Sequence, residues 1–244
     1  MGDPEHGDLG ARMSLVEHLT ELRRRIIICV IAVAVGGVVA FILYERILDL
    51  LSGPYNEITN RERPFLITDP LEGFTTRLKI AAFGGLTLAS PVVLWQVWRF
   101  ITPGLHKHEK KYAIPFIIAS ILLFLLGAVL AMVTFDNALR FLVAVGGDEL
   151  DAFFSPSKYL NLVVLMMVAF GVAFEFPVLL VFLQLARVVT SRRLRKWRRP
   201  AAVVIVAVAA VITPSQDPYS LFAMAVPMYL FYEGAIVIGR ILKR

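Results

Sequence analysis

Cysteine is almost absent from the 244-residue chain, which contains only Cys29. One thiol cannot form a disulfide framework or a multi-thiolate metal site, so both are excluded. Charged residues are also scarce, at 18% of the chain, compared with about 25% in average soluble domains. The HExxH, GxSxG and glycine-rich phosphate-binding motifs of common enzyme classes are missing. We therefore predict a protein that is not an enzyme, with no catalytic residue, no metal and no cofactor.

Hydrophobic residues are abundant instead, at 58% of the chain, and the mean hydropathy is +0.72. A hydrocarbon core of about 30 Å needs apolar helices of about 20 residues. Runs of this kind predict an all-α integral membrane protein with six transmembrane helices, at about 26–44, 74–98, 114–135, 160–186, 201–212 and 221–238. The fifth run has only about a dozen residues, or roughly 18 Å of helix. Internal prolines and unequal lengths favour bent helices that form a concave bundle.

Basic residues are distributed unevenly between the two ends of these helices. Eighteen of the 25 Lys and Arg residues lie before the first span or within 99–111, 187–199 and 240–244. The positive-inside rule then places both termini in the cytoplasm of a multi-pass protein of the inner or cell membrane. The pI near 9.6 follows from this topology, and the short basic loops do not predict nucleic-acid binding. We expect a flexible tail at 1–13, a single six-helix transmembrane domain at 14–240 and a short basic tail at 241–244.

Two glutamates near the predicted cytoplasmic face, Glu21 and Glu109, are considered as site residues and have simpler local explanations. Ser14 and Glu17 have capping-box spacing, which predicts a helix that runs into the first span. On this helix Glu21 can pair with Arg25 at i,i+4, and that local pairing is a sufficient explanation of both residues. Glu109 is the only acid in the basic segment HKHEKKY, where charge balancing is the simpler interpretation.

Acidic residues also occur within or beside the last three spans. Glu175 lies about midway along the fourth span, and an acid at that depth is by default a functional-site candidate. An interhelical hydrogen bond is the competing explanation. Glu233 is nearer the cytoplasmic interface, and Asp217 in the outer turn is explained as a helix terminator. A proton-coupled secondary transporter with Glu175 and Glu233 as a relay is an alternative function, although the two halves of the chain show no internal repeat.

Several motifs occur together in a specific order. They are HLTELRRR (18–25), PVVLWQVWRFITPGLHKHEKK (91–111), FGVAFEFPV (170–178), RRP (198–200), TPSQDP (213–218) and VPMYLFYE (226–233). In order and spacing they resemble the TatC family, the signal-peptide receptors of the twin-arginine protein translocase. The likeness extends from about residue 14 to residue 240, with loose agreement at 52–63 and 146–156.

The resemblance implies binding of twin-arginine signal peptides of folded cargo proteins at the cytoplasmic face. It also implies assembly with single-span TatB and TatA partners in a multimeric complex in the lipid bilayer, without nucleotide hydrolysis. The family's principal signal-peptide glutamates correspond to Glu21 and Glu109. Further signal-peptide residues expected on this basis are His18, Arg23 and Arg99, and the polar residues expected to dock partners within the membrane are Glu175, Gln96, Glu233 and Asp217.

Overall fold

A computed structural model of the chain describes residues 15–58, 65–67, 69–101, 113–147 and 154–241. Every regular element within these ranges is a helix, as predicted. They are α1 (Leu15–Ile42), α2 (Tyr44–Leu51), α3 (Gly53–Ile58), α4 (Glu72–Ile101), α5 (Ala113–Val145), α6 (Pro156–Ala173), α7 (Phe176–Leu185), α8 (Ser191–Lys196), α9 (Arg198–Ile212) and α10 (Pro218–Ile241).

Five helical segments are long and apolar enough to cross a membrane: Val16–Ile42, Glu72–Ile101, Ile114–Val145, Pro156–Leu185 and Pro218–Ile241. They coincide with five of the six predicted spans. The fifth predicted span, 201–212, lies within α9, which has 15 residues. At 1.5 Å per residue α9 is about 22 Å long, less than the hydrocarbon thickness. Five candidate spans are therefore established, and the sixth stays a prediction.

The fourth span is divided near its middle. Phe174 and Glu175 form a turn between α6 and α7, and Glu175 N still donates to Val172 O at 3.1 Å. Pro177 stands in the first turn of α7, where its missing N–H costs no hydrogen bond. The bend that the proline predicted is therefore a break between two helices, with Glu175 at the junction.

Helix contacts run in series from α1 to α9. Helix α1 packs mainly on α4, and α4 also contacts α5 and α6. Helix α10 contacts α5, α7 and α9, while α9 retains an apolar surface whose side chains are largely exposed. Helices α1 and α9 consequently lie at opposite ends of the series.

Glycines set the closest approach between α1 and α4. A Cβ atom built on Gly85 would lie 2.5 Å from Gly37 N, and one built on Gly36 would lie 2.7 Å from Gly85 O. Small residues allow helix backbones to approach this closely in membranes. The two helices are antiparallel, so the first residues of α1 lie beside the last residues of α4.

The opposite end of the bundle contains an aromatic cluster. The Tyr55 ring stacks on Phe65 at a centroid distance of 4.3 Å and meets Tyr159 and Phe154 edge-on. Tyr159 also donates from its hydroxyl to Leu51 O at 2.8 Å. Through these contacts α2, α3 and residue 65 pack against α6. Part of this region, 52–63, is one of the segments in which the sequence resembles the family only loosely.

Candidate functional site

A polar cleft of about 160 Å³ lies where the start of α1 meets the end of α4. The antiparallel register brings together side chains that are about 70 residues apart in sequence. The cleft is lined by Glu21, Arg24, Arg25, Ile28, Gln96 and Arg99. Two of the predicted signal-peptide residues, Glu21 and Arg99, therefore share one cavity.

Among the described residues, Glu21 accepts hydrogen bonds through only one of its carboxylate oxygens. Arg25 Nε donates to Glu21 Oε1 at 3.0 Å, and Arg25 Nη2 pairs with the same oxygen. The i,i+4 pair predicted from the sequence is thus confirmed. Glu21 Oε2 is buried and has no hydrogen-bond partner within the described part of the chain. A carboxylate oxygen without a donor is costly to bury, so this atom is suited to receive one from a ligand.

Gln96 extends this arrangement from α1 to α4. Arg25 Nη1 donates to Gln96 Oε1 at 3.2 Å. The sequence analysis grouped Gln96 with the intramembrane partner-docking residues, but the structure places it in the cleft beside Glu21. The reason is the helix register, which sets Gln96 opposite Arg25.

The remaining predicted residues of this site differ in position. The His18 ring stacks on Phe100 with centroids 4.5 Å apart, which holds α1 against α4 next to the cleft. Arg23 is exposed and does not line the cleft. Glu109 lies outside the described residues, so the predicted pairing of the two glutamates in one site stays a prediction.

Glu175, at the junction of α6 and α7, is half-buried. Its Oε1 atom is buried and makes no hydrogen bond among the described residues, although the Ser120 hydroxyl lies near the carboxyl group. Ser120 itself accepts a hydrogen bond from Trp98 Nε1. Glu175 is therefore a polar group at a helix break in the apolar interior, where an incoming donor would be stabilised.

Glu233 and Asp217 both have partners within the chain. Arg198 Nη2 lies 2.5 Å from Glu233 Oε2, which links the start of α9 to α10. Asp217 is buried, accepts from the Ser215 hydroxyl, and its Oδ1 accepts from Ser220 N at 2.8 Å. Asp217 is therefore an N-terminal cap, at which α10 begins, and its expected role in partner docking stays a prediction.

Gln184 and Glu72 are buried polar residues that the sequence analysis did not single out. Gln184 donates to Ala235 O at 2.9 Å and accepts from the Ser191 hydroxyl at 2.8 Å, which ties α7 to α10 and α8. Glu72 accepts from the Ser155 hydroxyl at the start of α6. An amide in the apolar run LLVFLQL was a usable signal for Gln184, whereas nothing in sequence distinguished Glu72 from other loop acids.

Within the described ranges, no three His, Cys, Asp or Glu side chains cluster closely enough to hold an ion. His106 and His108 fall outside these ranges.

One protein-family model matches most of the chain. The family model described as "Sec-independent protein translocase protein (TatC)" matches residues 17–227. The chain belongs to the TatC family. Membership of the TatC family supports a role in protein translocation, and it agrees with the resemblance carried by the sequence motifs.

Relatives and solved structures of the TatC family extend this result. A "Sec-independent protein translocase protein TatC" of Frankia casuarinae is 41% identical over 94% of this chain and 66% of its own length. The protein of the same name from Carboxydothermus hydrogenoformans is 37% identical over 95% of this chain and 94% of its own. A crystal structure described as "Twin Arginine Translocase Receptor- TatC in DDM" superposes with a TM-score of 0.76 at 38% identity, covering 91% of this chain and 99% of that one.

Proposed function

We propose that this chain is the membrane receptor of a twin-arginine translocase and binds the arginine pair of signal peptides in the cleft between α1 and α4. The observation that carries the proposal is Glu21 Oε2, a buried carboxylate oxygen beside a polar cleft, which has no donor among the described residues. The ligand follows from the family, because a related crystal structure is that of a twin-arginine translocase receptor, and an arginine of such a signal peptide can donate to this oxygen.

The chemistry of the ligand explains the choice of glutamate. A guanidinium is planar, stays protonated at all relevant pH values and donates in a fixed fork that matches a carboxylate. One arginine of the pair binds Glu21, and Glu109 in the following cytoplasmic loop accepts the other. Lysine carries the same charge but lacks the fork, so it is a weaker ligand for the same oxygens.

Both termini are cytoplasmic in this proposal, and the concave bundle of bent helices has six spans, with α9 as the sixth. The excess of basic residues in the cytoplasmic segments supports the orientation. Helix α9 begins with Arg198 and Arg199 and ends at Ile212, so its apolar part is short. A short span is accommodated by local thinning of the bilayer or by a partner helix.

Single-span TatB and TatA subunits are the proposed partners in a multimeric complex. Glu175 supports this assignment because it is a half-buried acid with an unpartnered oxygen among the described residues. The exposed apolar surface of α9 offers a second docking face next to α10.

A proton-coupled transporter is not favoured. The supposed relay residues are not equivalent, because Glu233 is held in an ion pair with Arg198 while Glu175 lies near Ser120. Family membership also favours protein translocation over small-solute transport.

The test is binding of a fluorescent twin-arginine signal peptide to the purified chain in detergent, followed by anisotropy. Glu21→Gln removes the charge of the acceptor and should weaken binding by about 1.5–3 kcal/mol, or roughly 10- to 150-fold. Glu45→Gln is the matched control, because Glu45 is an exposed acid at the other end of the first hairpin. Equal affinity of the wild type for twin-arginine and twin-lysine peptides would contradict the proposal.

A further inference from the structure

The cleft already contains the guanidinium of Arg25, which pairs with the same glutamate that is proposed to bind the ligand. Arg25 is largely buried, with 14% of its side chain exposed, while Arg24 and Arg99 are exposed. Arg25 is therefore the fixed cation of the cleft, and it already contacts Glu21.

Arg25 binds one oxygen of the Glu21 carboxylate and not the other. In a two-oxygen fork, Nε and Nη2 of an arginine each take a different carboxylate oxygen. Here both donate to Glu21 Oε1, and Oε2 has no partner among the described residues. Arg25 neutralises part of the charge of Glu21 but leaves one oxygen unused.

Gln96 provides a physical reason for this offset. Its Oε1 accepts from Arg25 Nη1 at 3.2 Å, and it belongs to α4 whereas Arg25 and Glu21 belong to α1. The amide thus holds the guanidinium from the side opposite to Glu21. Glu21 Oε2 therefore receives no hydrogen bond from Arg25 and can accept one from a ligand.

We propose that Gln96 is a positioning residue for specificity: by holding Arg25 it prevents a two-oxygen fork with Glu21 and keeps Glu21 Oε2 available for a guanidinium of the ligand. This inference rests on the proposed function, since it takes the signal-peptide arginine as the ligand. Gln96 contacts Arg25 and acts on the ligand only through Arg25 and Glu21.

Two substitutions of Gln96 separate this role from simple packing. Gln96→Met keeps the length of the side chain but removes the acceptor, so Arg25 is free to take both oxygens of Glu21. The ligand then loses one charge-assisted hydrogen bond, and the affinity for a twin-arginine peptide should fall by about tenfold. Gln96→Glu keeps an oxygen acceptor at the same place, so affinity should be retained or raised.

A second readout tests the guanidinium specificity directly. The ratio of affinities for twin-arginine and twin-lysine peptides should fall in Gln96→Met. Two N–H groups of a ligand guanidinium can share the one free oxygen, as those of Arg25 share Oε1, and an ammonium lacks this planar pair of donors. Thr87→Val is the matched control on α4, since the Thr87 hydroxyl donates within its own helix, to Phe83 O at 3.0 Å, and lines no part of the cleft. Thermal unfolding in detergent should be nearly the same for all three variants.

The outcomes distinguish the two proposals. If the wild type does not prefer the twin-arginine peptide, the proposed function fails. If the wild type prefers it and Glu21→Gln abolishes the preference, but Gln96→Met binds both peptides as the wild type does, the positioning role alone is overturned. Equal loss of affinity in Gln96→Met and Gln96→Glu would also overturn it, because the acceptor oxygen would then be irrelevant.

Discussion

The contact between α1 and α4 predicts a large effect from a very small substitution, Gly85→Ala. The added Cβ would lie 2.5 Å from Gly37 N, 2.7 Å from Gly37 Cα and 2.8 Å from Val33 O. All three neighbours are backbone atoms, so no side chain can move aside. Since non-bonded carbon atoms are most stable at 3.5–4.0 Å, the helices must separate by about 1 Å.

The expected cost follows from that separation. Overpacking of this kind destabilises proteins by about 1–3 kcal/mol, and a gap of about 1 Å also removes up to half of the dispersion energy of the contacts that open. Gln96 lies 11 residues after Gly85 on the same helix, about 16 Å along its axis. We therefore expect Gly85→Ala to lower both the unfolding temperature and the affinity for a twin-arginine peptide.

The assay is thermal unfolding of the purified variants in detergent, combined with the peptide anisotropy measurement. Gly73→Ala is the matched control, because Gly73 lies on α4 and a Cβ there would meet nothing within 4 Å. Alanine at that site should be neutral or stabilise the helix by up to about 1 kcal/mol. If Gly85→Ala unfolds at the temperature of Gly73→Ala, the close approach of the two helices is not what holds them together.

Three further predictions concern other parts of the chain. Gly239→Ala should destabilise by about 1–3 kcal/mol, measured by thermal unfolding, because its Cβ would lie 1.7 Å from Gln184 Oε1 and displace that buried amide; wild-type stability would contradict this. Glu175→Leu should weaken co-purification of a single-span partner without lowering the unfolding temperature, whereas Glu175→Gln should be mild; a sharp loss of stability would make the residue structural. In a cysteine-free background, a cysteine replacing Gly147 should react with an impermeant thiol reagent outside intact cells, and one replacing Arg195 should not; the reverse pattern would invert the proposed topology.

Hydropathy predicted the membrane spans well because the requirement for apolar length is local and strong. Five predicted spans coincide with candidate spans of the structure. It did not predict α2 and α3, since these short helices depend on tertiary contacts such as those of Tyr55 with Phe65 and Tyr159. Pro177 indicated a bend in the fourth span, but the sequence did not show that Glu175 lies at a break between two helices.

The candidate site was predicted in part. Helical spacing was sufficient to predict the Glu21–Arg25 pair, which the structure confirms. The neighbour that orients this pair, Gln96, lies 71 residues from Arg25 in sequence, and only the register of α1 against α4 brings them together. Gln184 did not stand out in the sequence because it carries no charge, although a buried amide in lipid has the same need for a partner.

The most direct test of the central claim is photocrosslinking of a twin-arginine signal peptide to the cleft. A photoreactive residue replaces Arg24, which lines the cleft, or Leu71, which is exposed and directly precedes the other end of α4. The peptide is added to inverted membrane vesicles, where the cytoplasmic face is accessible. We expect a crosslink at position 24 that an excess of twin-arginine peptide abolishes and an excess of twin-lysine peptide does not. Little crosslinking is expected at position 71. Equal crosslinking at both positions, or equal competition by both peptides, would contradict the central claim.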